Sequence, residues 1–254
     1  MTSINRRELL TQSAAGIGAA TLISTIATRV GSASETVPLR LEKNDTILFQ
    51  GDSITDCHRE KKRNLVANNA KAMGVGYALQ IGADLLLNNP NLKLRFFNRG
   101  ISGNRVPSLQ KRWTKDCIEL KPNVLSILVG VNDIWHKLNG KYDGTTESYR
   151  DGFTKLLAET KRQLPATKIV ICEPFALKVG AVKDSWFPEF DDRRQVAREV
   201  SDVAGTIWVP FQSMFDQAVE SGPSARYWAA DGVHPSMAGH ALMAATWQKV
   251  VLGQ

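Results

Sequence analysis

Residues 46–56 read TILFQGDSITD, and in this stretch an apolar run meets a glycine, an aspartate and a serine. The run 46–50 is rich in apolar and β-branched residues, which predicts a buried strand. Gly51 permits a sharp turn, and Ser53 comes where a following helix would begin. The unpaired N–H groups at a helix start favour an alkoxide or oxyanion, so Ser53 is a candidate nucleophile. A plain helix N-cap is the alternative for this serine.

Four more apolar runs predict strands, and helix-sized segments separate them. This alternation is typical of βαβ units and predicts a three-layer α/β/α domain with a five-stranded, mostly parallel, flavodoxin-like sheet. In such a sheet, ligands bind beyond the carboxyl ends of the strands. The further predicted strands are 94–98, 124–129, 168–172 and 206–211. The segments with helical spacing include 77–87, 106–120, 146–164, 193–204 and 238–251.

Polar groups follow the second and third predicted strands, and another polar motif lies near the C-terminus. Gly103, in a glycine-rich turn, is placed to present a backbone N–H to a cleft. Asn132 is placed to direct its side-chain amide at a developing negative charge. Asp231 precedes His234 by three residues, so its carboxylate can bind Nδ1 of the imidazole and leave Nε2 as a general base. An ordinary turn, a helix cap and a surface Asp–His pair are the respective alternatives.

Four independent elements thus place a nucleophile, two oxyanion donors and an oriented base at one end of the sheet. This combination predicts a serine hydrolase, because acyl transfer by serine needs each of these parts. The pattern Gly-x-Ser-x-Gly is absent from the sequence, which disfavours the α/β-hydrolase superfamily.

In order and spacing, these motifs resemble the SGNH hydrolase family, also called GDSL esterases. The resemblance covers roughly residue 41 to the C-terminus. It implies a catalytic triad of Ser53, Asp231 and His234, and an oxyanion hole formed by Ser53, Gly103 and Asn132. Similarity to the acetylxylan esterase branch extends to longer strings, which are GDSITDC, NRGISGN, the pair Arg112-Trp113, GVNDIW and DGVHPSMAGH.

The resemblance implies a serine esterase that hydrolyses O-acetyl or other short-chain esters, on xylan or related carbohydrates, through an acyl-enzyme. The expected partner is an acetylated carbohydrate substrate, and no metal or organic cofactor is expected. The main alternative is a lipolytic enzyme of the thioesterase or lysophospholipase type, which acts on longer acyl esters. A non-catalytic glycan-binding module is a third reading, which the complete set of triad and oxyanion residues disfavours.

Two tryptophans are candidate substrate-binding residues, with core packing as the alternative for each. Trp135 follows Asn132 by three residues, and Trp228 precedes Asp231 by three. The segments 139–145 and 176–193 match the family poorly. They are expected to form the rim of the cleft, where substrate choice is made.

Other polar side chains near the motifs are expected to be structural. Asp52 is interpreted as a hydrogen-bond acceptor rather than as a second base. Cys57 is not expected to be a nucleophile, because no histidine is arranged around it in the sequence pattern. Cys57, Cys117 and Cys172 are odd in number and lack metal or redox spacing, so they are interpreted as small buried side chains. The histidines interpreted as structural are His58, His136 and His240.

The chain has 254 residues and a formal net charge of +7. Its basic residues are dispersed, apart from a cluster of Arg59, Lys61, Lys62 and Arg63 that is interpreted as a solvated face. A nucleic-acid-binding protein would need a longer basic stripe or a recognisable module, so nucleic acid is not an expected partner. The oligomeric state stays open, a homo-oligomer included.

Residues 1–33 are interpreted as an export signal of the twin-arginine type, followed by one hydrolase domain over residues 34–254. Arg6 and Arg7 precede a modestly apolar run, and residues 31–33 offer a small-residue cleavage site. The run is too short and too weakly apolar for a transmembrane span, so no stable membrane association is expected. The predicted location is therefore the periplasm or the exterior. A disordered or amphipathic arm is the alternative.

Overall fold

The computed structural model describes residues 38–254, so the predicted export signal at 1–33 lies outside the described residues. The described residues form a five-stranded sheet in the order β2-β1-β3-β4-β5, and each neighbouring pair of strands is parallel. The strands are β1 Thr46–Gly51, β2 Arg95–Asn98, β3 Val124–Leu128, β4 Lys168–Cys172 and β5 Ile207–Val209.

Helices fill the connections between the strands, and several short 3₁₀ turns lie among them. The α-helices of the described chain are α1 Ser53–Asp56, α2 Ala70–Met73, α3 Tyr77–Asn88, α4 Val106–Asp116, α5 Val131–Leu138, α6 Thr146–Gln163, α7 Glu189–Val203, α8 Phe211–Glu220, α9 Ala225–Trp228 and α10 Met237–Leu252. The 3₁₀ turns are Lys61–Arg63, Pro90–Leu92, Ile118–Leu120 and Asp184–Trp186.

Alternate residues of β1 face opposite sides of the sheet and join two separate hydrophobic cores. Ile47 and Phe49 belong to the core that contains residues of α3, α8 and α10, where Phe49 packs on Tyr77 and Trp247. Leu48 belongs to the opposite core, which contains residues of α4, α6 and α7. Helices therefore cover both faces of the sheet, which confirms the predicted three-layer α/β/α fold.

The fifth strand is shorter than the sequence predicts. The prediction covers residues 206–211, whereas β5 spans only Ile207–Val209. Pro210 has no N–H to donate to the strand ladder, and α8 begins at the next residue, Phe211. The sequence analysis does not predict α5 or α8. α8 begins at Phe211, inside the predicted fifth strand, and α5 begins at Val131, three residues after β3 ends.

Two other helices differ from the prediction at their ends. The predicted helix 106–120 is interrupted, because Cys117 leaves the helical region after α4 and a 3₁₀ turn follows. The helix predicted at 193–204 begins earlier, at Glu189, and its first turn is acidic, which favours a helix N-terminus. Within residues 38–254, no helix combines the length and apolar character that crossing a bilayer requires.

The strand order reverses beside β1, because the chain passes from β1 to β2 on one side and then to β3 on the other. In doubly wound sheets, the crevice at such a switch point is the usual ligand site. Ser53 follows β1 and Asn132 follows β3, so the topology places these two candidate residues on either side of the crevice.

Candidate active site

Ser53, His234 and Asp231 form a continuous chain of hydrogen bonds. Ser53 Oγ lies 2.9 Å from His234 Nε2, and His234 Nδ1 lies 2.7 Å from Asp231 Oδ2. The other carboxylate oxygen, Asp231 Oδ1, accepts from the backbone N–H of Val233 at 2.9 Å and from that of His234 at 2.8 Å. The fold therefore brings together a serine from the first βα turn and an Asp–His pair from near the C-terminus.

The charge on Asp231 determines which nitrogen of a neutral His234 carries the proton. Burial acts to raise its pKa, but hydrogen bonds from the His234 ring and from the backbone of His234 and Val233 outweigh burial and leave the pKa below its ordinary value of 3.8. Asp231 is therefore a carboxylate at neutral pH and can only accept hydrogen bonds. In a neutral His234, Nδ1 then carries the proton, and the lone pair of Nε2 faces the Ser53 hydroxyl.

A segment distant in sequence supports the turn that carries Asp231. Leu177 N–H donates to Gly232 O at 2.8 Å, and Ala181 N–H donates to Asp231 O at 2.8 Å. Gly232 has a φ of +87°, and a Cβ at this position would lie 2.4 Å from Leu177 O. The prediction that 176–193 forms a rim is wrong for the first part of this segment, which contains buried side chains and underlies the triad.

Asp52, not Ser53, caps the short helix α1. Asp52 Oδ1 accepts from Ile54 N–H at 3.0 Å, as expected of a structural acceptor. The alternative interpretation of Ser53 as the N-cap is therefore wrong, and its hydroxyl is left to bind His234. Gly51 makes the approach to β3 possible, because a Cβ there would lie 2.3 Å from the carbonyl oxygen of Leu128.

The other two candidate oxyanion donors, Gly103 and Asn132, lie on a loop and a helix that touch each other. Gly103 has a φ of +77°, in the left-handed region that favours glycine. Asn132 is buried in the first turn of α5, whose N-cap is Gly130, so it is not a helix cap. Its Nδ2 donates to Asn104 O at 3.3 Å, and the amide has a second hydrogen that this contact does not use.

Trp135 lies beside His234. The centre of its ring is 6.0 Å from that of His234 and 5.5 Å from that of Trp186. The sequence analysis missed Trp186, because it lies in the segment that matches the family poorly. Trp228 packs against the core and against Tyr227, and none of the ring contacts found within residues 38–254 joins it to the triad. Its role in substrate binding stays a prediction.

A cleft of about 650 Å³ opens beside Ser53 and His234. Its polar lining includes His58, Arg59, Lys61, Ser102 and His240. Such a lining suits a ligand that is rich in hydroxyl groups, because each buried polar group of the ligand needs a hydrogen-bonding partner.

Arg59 and Cys57 differ from the sequence-based expectations. Arg59 is only 6% exposed and its Nε donates to Gly100 O at 2.7 Å, so it does not belong to the solvated face, whereas Lys61–Arg63 is exposed. Cys57 is half-buried, and its Sγ lies 3.4 Å from Nε2 of His240, so a histidine does lie beside it. Burial raises the pKa of the Cys57 thiol, which makes it a poor nucleophile at neutral pH.

His240 is buried, and its Nδ1 accepts from Tyr77 N–H at 3.2 Å, as expected of a structural histidine. Cys117 and Cys172 are buried, as the sequence predicts. In the described part of the chain, no group of three or more His, Cys, Asp or Glu side chains is arranged to bind a metal ion.

Comparison with known proteins identifies a family. Residues 49–242 match the model of the GDSL-like lipase/acylhydrolase family. An acetylxylan esterase of Geobacillus stearothermophilus is 32% identical over 212 residues, which cover 81% of this chain and 93% of that protein.

Solved structures agree with this match. A protein of Parabacteroides merdae ATCC 43184, described as a GDSL-like lipase, is 48% identical to this chain and superposes with a TM-score of 0.81. The similarity covers 85% of this chain and 99% of that protein. Axe2, an acetylxylan esterase from Geobacillus stearothermophilus, is 29% identical with a TM-score of 0.75. This similarity covers 84% of the present chain and 96% of Axe2. Two Axe2 variants with alanine in place of a serine or a histidine are described as catalytic mutants. The present chain therefore belongs to the GDSL-like lipase/acylhydrolase family and is a carboxylic ester hydrolase with the α/β fold of SGNH hydrolases.

Proposed function

We propose that this hydrolase removes O-acetyl groups from xylan or related carbohydrates, with Ser53 as nucleophile, His234 as general base and Asp231 as the residue that orients the histidine. The mechanism is carried by the two hydrogen bonds, of 2.9 Å and 2.7 Å, that join the three side chains. The choice of substrate is supported by the 32% identity to an acetylxylan esterase.

In the first half-reaction, Ser53 Oγ attacks the ester carbonyl carbon while its proton passes to His234 Nε2. The carbonyl π electrons move onto the oxygen and form a tetrahedral oxyanion, while Asp231 stabilises the imidazolium. The bond between the carbonyl carbon and the sugar oxygen then breaks. The imidazolium gives its proton to this leaving sugar oxygen, which becomes a hydroxyl group.

The oxyanion is held by the backbone N–H groups of Ser53 and Gly103 and by the side-chain amide of Asn132. In the second half-reaction, water attacks the acetyl-enzyme and His234 takes the proton of this water. Acetic acid leaves as the proton returns to Ser53 Oγ, and it then ionises to acetate in water. Each turnover consumes one water and restores the starting protonation, so the steps need only groups of the chain and water.

Two surfaces beside Ser53 support a small acyl group and a sugar leaving group. The ring of Trp135 lies next to His234 and packs on the buried ring of Trp186. We expect this ring to leave room for a methyl group but to crowd a longer acyl chain. The polar cleft beside Ser53 and His234 suits a hydroxyl-rich leaving group.

Ser53→Ala should remove nearly all hydrolysis of 4-nitrophenyl acetate while the circular dichroism spectrum and the Tm stay those of the wild type. A serine-directed phosphonate should label Ser53 in the wild type. Because triad members act as a unit, adding His234→Ala should lower the residual rate only slightly. The control Ser221→Ala, on an exposed serine outside the cleft, should keep full activity. Wild-type turnover by Ser53→Ala would contradict the mechanism.

Acetate esters should be preferred over longer ones. One methylene too many in a tight pocket is worth about 1–3 kcal/mol, or about 10–200-fold in kcat/KM. 4-Nitrophenyl acetate should therefore exceed the butyrate by at least about tenfold, and acetylated xylo-oligosaccharides should release acetate. Trp135→Ala should narrow this ratio, because the ring lies beside His234. The control Trp208→Ala, on β5, should leave the ratio unchanged.

Two outcomes would contradict the proposed substrate. Hydrolysis of octanoate esters at least as fast as acetate esters, with no acetate released from acetylated sugars, would favour the lipolytic alternative. Binding of acetylated glycans without any turnover would favour a glycan-binding module.

A further inference from the structure

Residues 101–104, which we call the oxyanion loop, link the candidate oxyanion donors Gly103 and Asn132. Gly103 is one of its residues. The backbone carbonyl of the next residue, Asn104, accepts from Asn132 Nδ2 at 3.3 Å. A shift of Asn104 would therefore move both donors relative to the nucleophile.

Arg112, on α4, binds this loop and the end of β1 at the same time. Its Nε donates to Asn104 Oδ1 at 2.8 Å, and its Nη2 donates to Gly51 O at 3.3 Å. Its Nη1 donates to Asp116 Oδ2 at 3.0 Å, one helical turn along, and the side chains of this ion pair are each 15% exposed. A planar guanidinium suits these three contacts because its N–H groups point in fixed directions.

The helix end beneath Arg112 is itself tied to β1. The backbone carbonyl of Asp116 accepts from Nε2 of the fully buried Gln50 at 2.7 Å. Burial lowers the pKa of Arg112 and the hydrogen bond to Asp116 opposes this, so the guanidinium keeps its charge near neutral pH. Arg112 therefore has a fixed base from which to hold the loop.

We propose that Arg112 is a positioning residue, which presets the oxyanion hole by holding Asn104 against the strand that leads to Ser53. This inference rests on the proposed roles of Gly103 and Asn132 in stabilising the transition state. Loss of one oxyanion donor lowers kcat by about 10²–10³-fold. A misplacement of about 1 Å costs about 10²-fold. Displacing the loop should therefore act on kcat rather than on KM.

Arg112→Lys tests this role because it keeps the positive charge and the partner Asp116, whereas one ammonium group cannot reach both Asn104 and Gly51. The kcat for 4-nitrophenyl acetate should fall by about 10–100-fold. KM should stay within about threefold. Labelling of Ser53 by the phosphonate should slow in parallel, because the phosphonate adduct also places an oxygen in the hole.

Asn104→Ala provides a second variant that leaves α4 intact, and it answers the question if Arg112→Lys does not fold. It should lower kcat by a similar factor. The double variant should lose little more, since both changes break the same contact. The matched control is Arg198→Lys, whose arginine pairs with Asp202 at the same i,i+4 spacing on α7 and should keep the wild-type kcat.

Unchanged kcat in both Arg112→Lys and Asn104→Ala would overturn the inference, and so would an effect confined to KM or to Tm. Asn132→Ala separates this result from a failure of the proposed function. If Asn132→Ala also keeps the wild-type kcat, the oxyanion assignment itself fails. If Asn132→Ala loses about 10²–10³-fold while Arg112→Lys loses nothing, only the role of Arg112 fails.

Discussion

At the scale of single residues, two buried carboxyl groups near Ser53 have pKa values shifted in opposite directions. Burial raises the pKa of Asp52 to about 7, although the N–H of Ile54 acts to lower it. Burial also acts to raise the pKa of Asp56, but the N–H and hydroxyl of Ser102, at 3.0 Å and 2.9 Å, and the ammonium of Lys61 leave it below 3.8. At Asp56 the donors outweigh the effect of burial, whereas at Asp52 the effect of burial is the larger.

Asp52→Asn should therefore change how stability depends on pH. Because the folded-state pKa of Asp52 lies above its ordinary value of 3.8, the folded protein binds the proton more tightly, and the free energy of unfolding falls as the pH rises from about 4 to about 7. Each pKa unit corresponds to about 1.4 kcal/mol, so near pH 8 the variant should exceed the wild type by up to about 4 kcal/mol. The two should converge near pH 4, and asparagine still caps α1. Urea unfolding across this pH range measures the effect.

Asp56→Asn should behave in the opposite way and serves as the control. Its lowered pKa means that the carboxylate stabilises the fold above the ordinary pKa and that this contribution is lost as the pH falls through the folded-state value. The variant should be less stable than the wild type at neutral pH, and the difference should shrink in acid. Parallel stability curves for Asp52→Asn and the wild type would contradict the raised pKa of Asp52.

At the scale of elements, the turn that carries Asp231 depends on the segment packed beneath it. Gly180 has a φ of +61°, and a Cβ there would lie 2.5 Å from Asp231 Cα. Gly205 has a nearly equal φ of +57°, but nothing lies within 4 Å of the corresponding Cβ position. Alanine would therefore introduce similar backbone strain at both positions. Only at Gly180 would its Cβ also collide with the backbone of Asp231.

Gly180→Ala should therefore lower both stability and kcat, whereas Gly205→Ala should lower stability alone. A left-handed alanine costs about 1–2 kcal/mol at either position. At Gly180, the clash with the backbone of Asp231 adds about 1–3 kcal/mol and displaces the carboxylate that orients the catalytic histidine. Tm and kcat on 4-nitrophenyl acetate measure the two effects. Wild-type kcat in a folded Gly180→Ala enzyme would show that the turn does not depend on this contact.

At the scale of the whole molecule, we propose that the hydrolase is exported, on the strength of the Arg6-Arg7 pair and the weakly apolar run that follows. A twin-arginine route carries folded proteins, and the three cysteines are free, so folding before export needs no disulfide between them. Replacing both Arg6 and Arg7 with lysine should trap the precursor in the cytoplasm, whereas Arg29→Lys should not. Cell fractionation and N-terminal sequencing check this, with a mature start expected near residue 34. An unprocessed wild-type chain in the cytoplasm of the native host would contradict the proposal.

The fold class and the family follow from the pattern of residues along the chain. Strands such as β3 and β4 are predictable because a strand buried on both faces must be apolar throughout. Ser53, Gly103, Asn132 and His234 are recognisable because each lies directly after a strand or in a short local motif. The spacing of Asp231 and His234 places their hydrogen bond within a single turn, so local geometry suffices to predict it.

The distant side chains that support these motifs become visible only in the folded chain. Arg112 belongs to a recognisable sequence motif, but its hydrogen bond to Asn104 cannot be predicted from the sequence. The same is true of the position of Gly180 beneath Asp231 and of the packing of Trp186 on Trp135. The sequence also leaves Arg59 in a charged surface cluster, although that side chain is buried. Periodicity and local motifs predict only the contacts that a segment makes with residues close to it along the chain. Contacts between segments that are far apart along the chain depend on how the helices and loops pack on the sheet, and that packing is a property of the whole fold.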